Sequence, residues 1–350
     1  MTEKKALVLA AAGLGAGMAA WAVLRRQSGE SLAGKVVFVT GGSRGLGLLL
    51  ARGFAREGCQ VALCARSREE LEAARGDLES RGAGALVLEC DVADREQVER
   101  AIEQTIAHFG RIDVLVNNAG EIQVGPVQSM TVEDFQHSMD IMFWGTVYPT
   151  MALLPHLLAR KAGRIVNITS IGGKVAVPHL LPYTCAKFAA VGFSEGLRAE
   201  LADKGVRVVT IAPGLMRTGS YLNALFKGDQ EREAAWFSLG ATLPGISMSA
   251  SRAARQIIEA ARRGEAERIL SAPANLLARF HGLFPGATAD LLGLVNRLIL
   301  PAGTGKGVKR GQDASILERP WMKALTVLGR VAAQRFLEQR QEGRLAPTGT

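Results

Sequence analysis

Short apolar stretches alternate with amphipathic stretches over most of the chain, and this pattern predicts the architecture. The apolar stretches are 36–40, 61–65, 85–92, 112–120, 164–170 and 206–214, with a seventh candidate at 267–271. Helical spacing of apolar residues appears between them, notably over 94–109, 131–160 and 183–204. Strands that alternate with helices of this length indicate βαβ units. We therefore expect an α/β protein with a Rossmann-like doubly wound parallel sheet of six to seven strands and helices on both faces.

The first residues predict a separate hydrophobic helix. Residues 6–24 carry no charge and lie between Lys4–Lys5 and Arg25–Arg26. At about 1.5 Å per residue such a helix is about 28 Å long, close to the hydrocarbon thickness of a bilayer. A cleaved signal peptide is the alternative, with a small-x-small site at 20–22. The length of the run favours a retained single-pass N-terminal anchor over 1–27, which would place the protein at a membrane.

The other end of the chain departs from the βαβ pattern. Residues 28–275 form the expected cofactor-binding and catalytic domain, and 276–350 form a helical extension with a basic tail. Between Leu317 and Phe336 apolar residues recur every three or four positions, which indicates an amphipathic helix. Such a helix packs on the core, contacts another subunit or lies on a membrane, and we favour the first two interpretations.

Composition narrows the class of protein. The chain has 350 residues, of which 48% are hydrophobic and 21% charged, typical of a folded protein. The net charge is +9, and part of the excess lies after residue 301, but no aromatic residues are interleaved as in a nucleic-acid platform. The four cysteines lack the spacing of metal ligands. We expect no metal, no disulfide framework and no nucleic-acid partner.

A glycine-rich turn joins the first predicted strand to the first helix. Its residues follow Thr40, and the positions expected to contact a phosphate group are Gly41, Ser43, Arg44, Gly45, Leu46 and Gly47. Small residues let the backbone turn tightly and approach a pyrophosphate, which lies at the positive N-terminal end of the helix. The G-x-x-x-G-x-G spacing in this position predicts a dinucleotide site.

The end of the second strand indicates which dinucleotide. NAD-selective sites usually carry an acid here that accepts a hydrogen bond from the ribose 2′-hydroxyl. This chain has Arg66 instead, and Arg44 in the glycine-rich turn provides a second guanidinium. Two guanidinium groups suit a 2′-phosphate, so NADP(H) is favoured over NAD(H).

A third group of residues has the spacing of an acid–base site. Tyr183 and Lys187 are one helical turn apart, so both side chains lie on one helix face, and Ser170 precedes the tyrosine in the stretch 168–187. An ammonium group beside a phenol favours the phenolate and is expected to lower the pKa of Tyr183. The phenol could then act as a general acid or base, with the serine hydroxyl holding a substrate oxygen.

Taken together, these motifs resemble the short-chain dehydrogenase/reductase family. TGGSRGLG (40–47), NNAG (117–120), Ser170 with Tyr183 and Lys187, and PGLMRT (213–218) match that family in order and spacing, from about residue 34 to 220. The resemblance implies hydride transfer between a nicotinamide cofactor and a carbonyl or alcohol carbon, with no metal. It assigns Tyr183 as proton donor or acceptor, Ser170 as partner of the substrate oxygen, and Lys187 to the nicotinamide ribose.

The resemblance also implies further cofactor contacts and an assembly. Asp91 and the adjacent Val92 would lie at the adenine, and Thr218 at the nicotinamide amide. The remaining cofactor-site positions are Asn118, Ala119, Gly120, Pro213 and Gly214. Members of the family often form dimers or tetramers, so a homodimer or homotetramer is expected.

One position departs from the family pattern. Many members carry an asparagine that helps to hold a water in the proton relay to the lysine, on the helix before the fifth strand. Met142 stands at that position here, within 140–145. A thioether is a poor acceptor and no donor, which puts the relay in doubt.

The predicted function combines these features. An apolar substrate-side segment, 215–250, and the N-terminal anchor favour a lipophilic carbonyl or alcohol, such as a sterol, a retinoid or a long-chain keto compound. The alternative is a weakly catalytic NADP(H)-binding scaffold or sensor at a membrane, which Met142 and the C-terminal extension would suit.

Overall fold

The computed structural model describes residues 29–338, which are built around a seven-stranded parallel sheet. The strands of this sheet are β1 Val36–Thr40, β2 Gln60–Ala65, β3 Ala85–Glu89, β4 Val114–Asn117, β6 Gly163–Ile168, β7 Val206–Pro213 and β11 Glu267–Leu270. Their order across the sheet is β11-β7-β6-β4-β1-β2-β3. The predicted doubly wound sheet is confirmed, and the seventh candidate strand is β11. β1 and β4 are buried along their whole length, as their continuous apolar sequences require.

Helices cover both faces of the sheet. The helices packed on it are α1 Gly45–Arg56, α2 Arg68–Glu79, α3 Arg95–Phe109, α5 Gly145–Arg160, α6 Leu181–Glu200 and α9 Ala250–Arg263. Buried side chains of α1, α2 and α9 share one apolar cluster with one face of the strands. Those of α3, α5 and α6 share the cluster on the other face. Two such layers around one sheet define an α/β sandwich.

The strand register brings the ends of the central strands together. Val39 of β1 is paired with Val116 of β4, and Asn117 of β4 is paired with Asn167 of β6. Residues that follow these strands therefore emerge side by side at the carboxyl edge of the sheet. In doubly wound folds ligands bind at this edge, so the register itself places the candidate site.

The helix predicted over 131–160 is interrupted. It consists of α4 Val132–Met139, a π-helical turn Asp140–Trp144, and α5. By length and composition the 132–160 stretch could cross a bilayer, but 44% of its apolar window is buried inside the protein. It is a core element, and it is internal to the chain. The predicted N-terminal anchor, 6–24, lies outside the described residues.

A third apolar cluster forms a lid over the carboxyl edge. Its buried residues come from β5 Gln123–Val124, α7 Ser220–Asn223, β9 Leu225–Phe226, α8 Gln230–Thr242, α12 Pro320–Leu325 and α13 Val327–Arg335 and from the loops beside them. Three further short strands lie in this part of the chain: β8 Met216–Arg217, β10 Met248–Ser249 and β12 Lys309–Arg310. β12 pairs antiparallel with β9, and β9 pairs parallel with β5. The later part of the predicted extension therefore packs back onto the 215–250 segment, in agreement with the packing interpretation of its last helix.

The first part of the extension behaves differently. α10 Ala272–Leu283 and α11 Pro285–Leu298 form a helical hairpin that follows β11. Only Ala274 and Thr288 are buried in these two helices. The hairpin packs chiefly against itself and projects from the body of the protein.

Candidate active site

The glycine-rich turn connects β1 to the N-terminus of α1 with an open backbone. Gly41 and Gly45 have φ angles of 62° and 58°, the left-handed region that glycine adopts without strain. A Cβ on Gly47 would collide with the carbonyl oxygen of Gly41. No acidic residue lies in the first turn of α1, so its N-terminal amides and partial positive charge suit an anion.

Thr40 and Asn118 fasten this turn to the loop after β4. The hydroxyl oxygen of Thr40 accepts from the amides of Asn118 and Ala119, at 2.9 and 3.1 Å. In return, the Asn118 side-chain amide donates to the carbonyl oxygens of Thr40 and Gly41, at 3.0 and 3.2 Å. The TGGSRGLG and NNAG motifs thus form one structural unit.

Ser170, Tyr183 and Lys187 converge beside that unit. The Ser170 hydroxyl follows β6, accepts from the Gly172 amide at 2.9 Å and hydrogen-bonds the Tyr183 phenol. From the next turn of α6, the Lys187 ammonium donates to the Ile168 carbonyl at 3.0 Å. It lies 5.8 Å from the centre of the Tyr183 ring. The three predicted catalytic residues therefore share one site.

The protonation of this group differs from the expectation. Burial raises the pKa of Tyr183 above its usual value, and the hydrogen bond from Ser170 offsets only part of that effect. The predicted lowering of the Tyr183 pKa by Lys187 is not seen in this arrangement. Burial also lowers the pKa of Lys187 itself, to about 8. Desolvation disfavours both charged forms, so at neutral pH the phenol is protonated.

Met142 lies next to the lysine, at the π-helical turn. A Cβ on Gly120 would be 3.7 Å from the Met142 Cγ and 3.8 Å from the Lys187 Nζ, so both side chains border one small space. Met142 is buried, and its carbonyl oxygen accepts from the Thr146 hydroxyl at 2.9 Å. Single-turn π-bulges inside helices occur frequently at functional sites. The turn therefore presents a thioether where the family pattern has an amide.

The two arginines predicted at the 2′-phosphate are each paired with a carboxylate. Arg44 Nη1 is 2.5 Å from Glu70 Oε1, and Ser43 Oγ donates to Glu70 Oε2 at 3.1 Å. Arg66 Nη2 is 3.5 Å from Glu121 Oε2, with 54% of its side chain exposed. Both arginine side chains remain partly exposed, so each can be reached by a bound anion.

Asp91, Val92 and Thr218, which were also predicted to contact the cofactor, follow strands at the carboxyl edge of the sheet but do not contact one another in a single group. The Asp91 carboxylate accepts from the Ala93 amide at 3.0 Å, while Val92 packs against Gly145. The Thr218 hydroxyl accepts from the Ser220 amide at 3.1 Å and also hydrogen-bonds Glu338.

The loop after β7 is tied to β11. At its start Pro213 ends β7, where it is paired with Leu270, and the Gly214 amide donates to the Leu270 carbonyl at 3.2 Å.

A series of buried, hydrogen-bonded polar side chains lies behind the site, and the sequence pattern did not predict it. Asn117 donates to Asn167 at 2.8 Å, Asn167 donates to Ser194 at 2.9 Å, and the Ser194 hydroxyl is 2.7 Å from that of Thr210. It links β4, β6, α6 and β7 beneath the catalytic residues. Single polar residues within otherwise apolar strands, such as Asn167, were the available signal, because buried polar groups need partners.

His179 and Glu233 form a second group that the sequence did not indicate. His179 Nδ1 is 2.7 Å from Glu233 Oε1, and Trp236 Nε1 donates to the other carboxylate oxygen at 2.6 Å. His179 has a φ of 62°, uncommon for a residue with a side chain. The pair joins the loop before Tyr183 to the lid helix α8, which fixes the lid relative to the catalytic residues.

Comparison with known proteins places the chain in a family. A profile described as short chain dehydrogenase matches residues 35–224, more than half of the chain. The chain belongs to the short-chain dehydrogenase family. Membership implies a nicotinamide cofactor, either NAD or NADP.

Individual relatives agree with this assignment. SadH of Mycobacterium tuberculosis, named as an oxidoreductase, is 34% identical over 260 residues, covering 72% of this chain and 93% of that protein. A dehydrogenase/reductase SDR family protein 7-like of Anopheles gambiae is 38% identical over 205 residues, 57% of this chain and 65% of that protein. Its Drosophila melanogaster counterpart is matched over 61% of its length, so the chain spans less than two thirds of either insect relative. A short-chain dehydrogenase structure from Streptomyces avermitilis has a TM-score of 0.65 and 28% identity, covering 75% of this chain and 98% of that one.

The residues present fit a nicotinamide dinucleotide. Gly41, Gly45 and Gly47 keep the backbone of the turn open at the positive end of α1, where a pyrophosphate would be held. Lys187 would hold the nicotinamide ribose.

We predict that Met142→Asn increases the rate of proton transfer. An amide beside Lys187 can hold a water by hydrogen bonds, which the thioether cannot. One added hydrogen bond of ordinary strength corresponds to roughly a three- to tenfold higher kcat. The measurement is steady-state kinetics of carbonyl reduction, with the cofactor Kd determined in parallel.

Met142→Leu is the matched control, because it keeps the volume and supplies no hydrogen bond. Its kcat should equal that of the wild type. An asparagine variant no faster than the leucine variant would show that the relay does not pass this position.

Proposed function

We propose that this protein is an NADP(H)-dependent oxidoreductase that transfers hydride between the nicotinamide and a carbonyl or secondary alcohol. The observation that carries the proposal is the convergence of Ser170, Tyr183 and Lys187 in one buried group beside the glycine-rich turn. Family membership supports the same class of reaction.

The chain's own residues provide acid–base catalysis. In the reductive direction the neutral Tyr183 phenol donates its proton to the carbonyl oxygen, and the Ser170 hydroxyl holds that oxygen by a hydrogen bond. The Lys187 ammonium stabilises the phenolate that remains and passes on a proton to restore it. The cofactor, when bound, supplies the hydride. In the oxidative direction the same groups remove the alcohol proton, which requires the phenolate and is favoured at higher pH.

We predict that Tyr183→Phe lowers kcat by about 10²- to 10⁴-fold, because it removes the proton donor and leaves the ring. The measurement is NADPH oxidation with a panel of ketones: sterol, retinoid, long-chain and short hydrophilic ketones. The cofactor Kd of the variant should match that of the wild type.

Tyr148→Phe removes a phenol outside the site and provides the control. If Tyr183→Phe retains the full rate, the proposed acid is wrong. Tight NADPH binding with no turnover of any ketone by the wild type would favour the scaffold alternative instead.

NADP(H) is proposed over NAD(H) because Arg66 follows β2 in place of an acid and Arg44 lies in the glycine-rich turn. No acid ends β2, and the carboxylates that pair with these arginines come from α2 and from the loop after β4. A 2′-phosphate carries more charge than either carboxylate and can take both guanidinium groups.

We predict that Arg66→Ala weakens NADPH binding by roughly 10- to 100-fold, the range of a charge-assisted hydrogen bond, and leaves NADH binding unchanged. Arg68→Ala is the matched control, since Arg68 is a nearby exposed arginine paired with Glu72 on α2. Titration of each dinucleotide against each variant measures the effect. Equal losses for NADPH and NADH would contradict the proposed phosphate contact.

A lipophilic substrate is supported in part by the lid. Several apolar residues of the 215–250 segment are buried in the core of the lid and cannot contact a substrate, among them Tyr221, Phe226 and Phe237. Leu215, Met216, Leu225 and Trp236 are only partly buried. An apolar substrate would contact this smaller set, so the substrate panel above includes both lipophilic and hydrophilic ketones.

The membrane context is proposed from two features. One is the apolar segment 6–24, and the other is the surface of the α10–α11 hairpin. The exposed large apolar residues of the hairpin and its end are Leu276, Phe280, Leu283, Phe284, Leu291, Leu294, Leu298 and Ile299. Over 272–300 the charged residues are two arginines and one aspartate. A helix pair that is apolar on its outer side, with arginines to reach lipid phosphates, suits insertion into one leaflet.

We predict that a protein lacking residues 1–28 still binds vesicles of phosphatidylcholine and phosphatidylserine. Serine at Leu276, Leu283 and Leu298 should lower this binding by at least about tenfold, since each leucine loses its apolar transfer energy. Co-sedimentation measures it. Serine at the exposed Val127 and Val132 is the control. Equal binding of the two serine variants would contradict the hairpin as the contact.

A further inference from the structure

The last described residues lie on the glycine-rich turn. The Gly45 amide, at the N-terminus of α1, donates to the Phe336 carbonyl at 2.8 Å. The Arg52 guanidinium, about two turns further along α1, donates to the Arg335 carbonyl at 3.1 Å. The Phe336 side chain is buried in the same apolar cluster as α1. The end of α13 is therefore seated on the element that would hold a pyrophosphate.

Glu338 completes this contact. Its side chain is only 6% exposed, and its carboxylate lies directly against Gly45, where a Cβ would collide with it. The Asn223 amide donates to Glu338 Oε2 at 3.1 Å and to the Glu338 carbonyl at 3.0 Å. The Thr218 hydroxyl also bonds the carboxyl group, and Arg44 is close enough to attract it. One carboxylate thus bridges the glycine-rich turn and the loop expected at the nicotinamide.

We propose that residues 336–338 form an autoinhibitory latch, which occupies the place of the cofactor's pyrophosphate and must leave before the cofactor binds. The inference rests on the proposed cofactor site. It follows from competition for the same groups: the Gly45 amide cannot donate to the Phe336 carbonyl and to a phosphate oxygen at once. The Glu338 carboxylate lies where a second anion would be repelled.

The bonds of the latch are of a kind that can be released. The direct hydrogen bonds of the Glu338 carboxyl group are to an amide and a hydroxyl, and no salt bridge to it is found within residues 29–338. Leu337 has a φ of 58°, an uncommon conformation for a residue with a branched side chain. The strained turn opposes docking, and so does ionisation of Glu338, because the buried carboxylate has no ion pair there. The hydrogen bonds of the Glu338 carboxyl group to Asn223 and Thr218, the apolar contact of Phe336 and the backbone bonds favour docking.

The test is the affinity for NADPH, measured by fluorescence titration of the full chain. Glu338→Ala should lower the Kd by about tenfold if the latch is closed in roughly nine molecules of ten. A chain that ends at Arg335 should do the same, whereas a chain that ends at Glu338 should bind as the wild type does. Asp203→Asn is the charge control, because Asp203 is an exposed acid that is distant in sequence from the latch.

Hydrogen exchange provides a readout independent of turnover. The Phe336 and Glu338 amides donate to Ala332 and Ala333, at 2.9 and 2.8 Å, and are protected while the latch is closed. Saturating NADPH should speed their exchange. Unchanged exchange, or equal Kd values for the wild type and Glu338→Ala, overturns the latch and leaves the proposed function intact. Absence of NADPH binding in every variant overturns the proposed cofactor site, and the latch with it.

The latch should also respond to pH. Burial raises the pKa of Glu338 to about 7, against the attraction of Arg44 and together with the repulsion of Glu70. Tyr221, the other titratable group facing it, is neutral here because burial raises its pKa to about 12. A released glutamate has a pKa of about 4.3. Docking is thus fully favoured below about pH 4.3 and loses this contribution as the pH rises to about 7.

The wild-type Kd for NADPH should therefore fall between pH 5.5 and 7.5 by more than that of Glu338→Gln, by up to about tenfold per pH unit. The glutamine variant is the reference, because titration of the dinucleotide itself changes the Kd of both proteins equally. Identical pH profiles of the two proteins would overturn the assignment of Glu338 as the titrating group of the latch.

Discussion

The hydroxyl group of Thr40 is the constraint on which the site depends. It stands at the end of the first strand and accepts two backbone amides of the loop after β4, while Asn118 of that loop returns two bonds to the turn. These four bonds satisfy backbone groups of both loops, which have few other hydrogen-bond partners in regular secondary structure. The anion-binding end of α1 and the central sheet edge are thereby held as one body.

Behind that edge, the candidate catalytic group is supported by buried polar contacts in place of ion pairs. The chain from Asn117 to Thr210 crosses three strands and α6, the helix that carries Tyr183 and Lys187. Buried networks of this kind are costly if any member is lost, so they hold their elements in one arrangement. Burial of the two groups raises the pKa of the Tyr183 phenol and lowers that of the Lys187 ammonium group.

Short-range sequence patterns correctly predicted the features that depend on residues close together in the chain. Apolar runs located the strands, and the glycine spacing and the i, i+4 pair located the turn and the acid–base residues. What they could not show depends on contacts between distant residues. Burial of Tyr183 reversed the expected direction of its pKa shift, since desolvation is set by the whole fold. Glu338 meets Gly45 because α13 packs against α8 and β8 and ends at the glycine-rich turn. The π-helical turn at Met142 likewise does not follow from helical periodicity.

The pairing of β12 with β9 limits where the chain can be truncated. The family profile ends at residue 224, yet the lid residues that follow are covered by side chains from the other end of the chain, including Leu317, Met322 and Ala333. A fragment cut at the profile boundary would expose the lid's interior and break its small sheet. The smallest piece that retains the complete lid therefore extends to α13, well beyond the segment that the family profile matches.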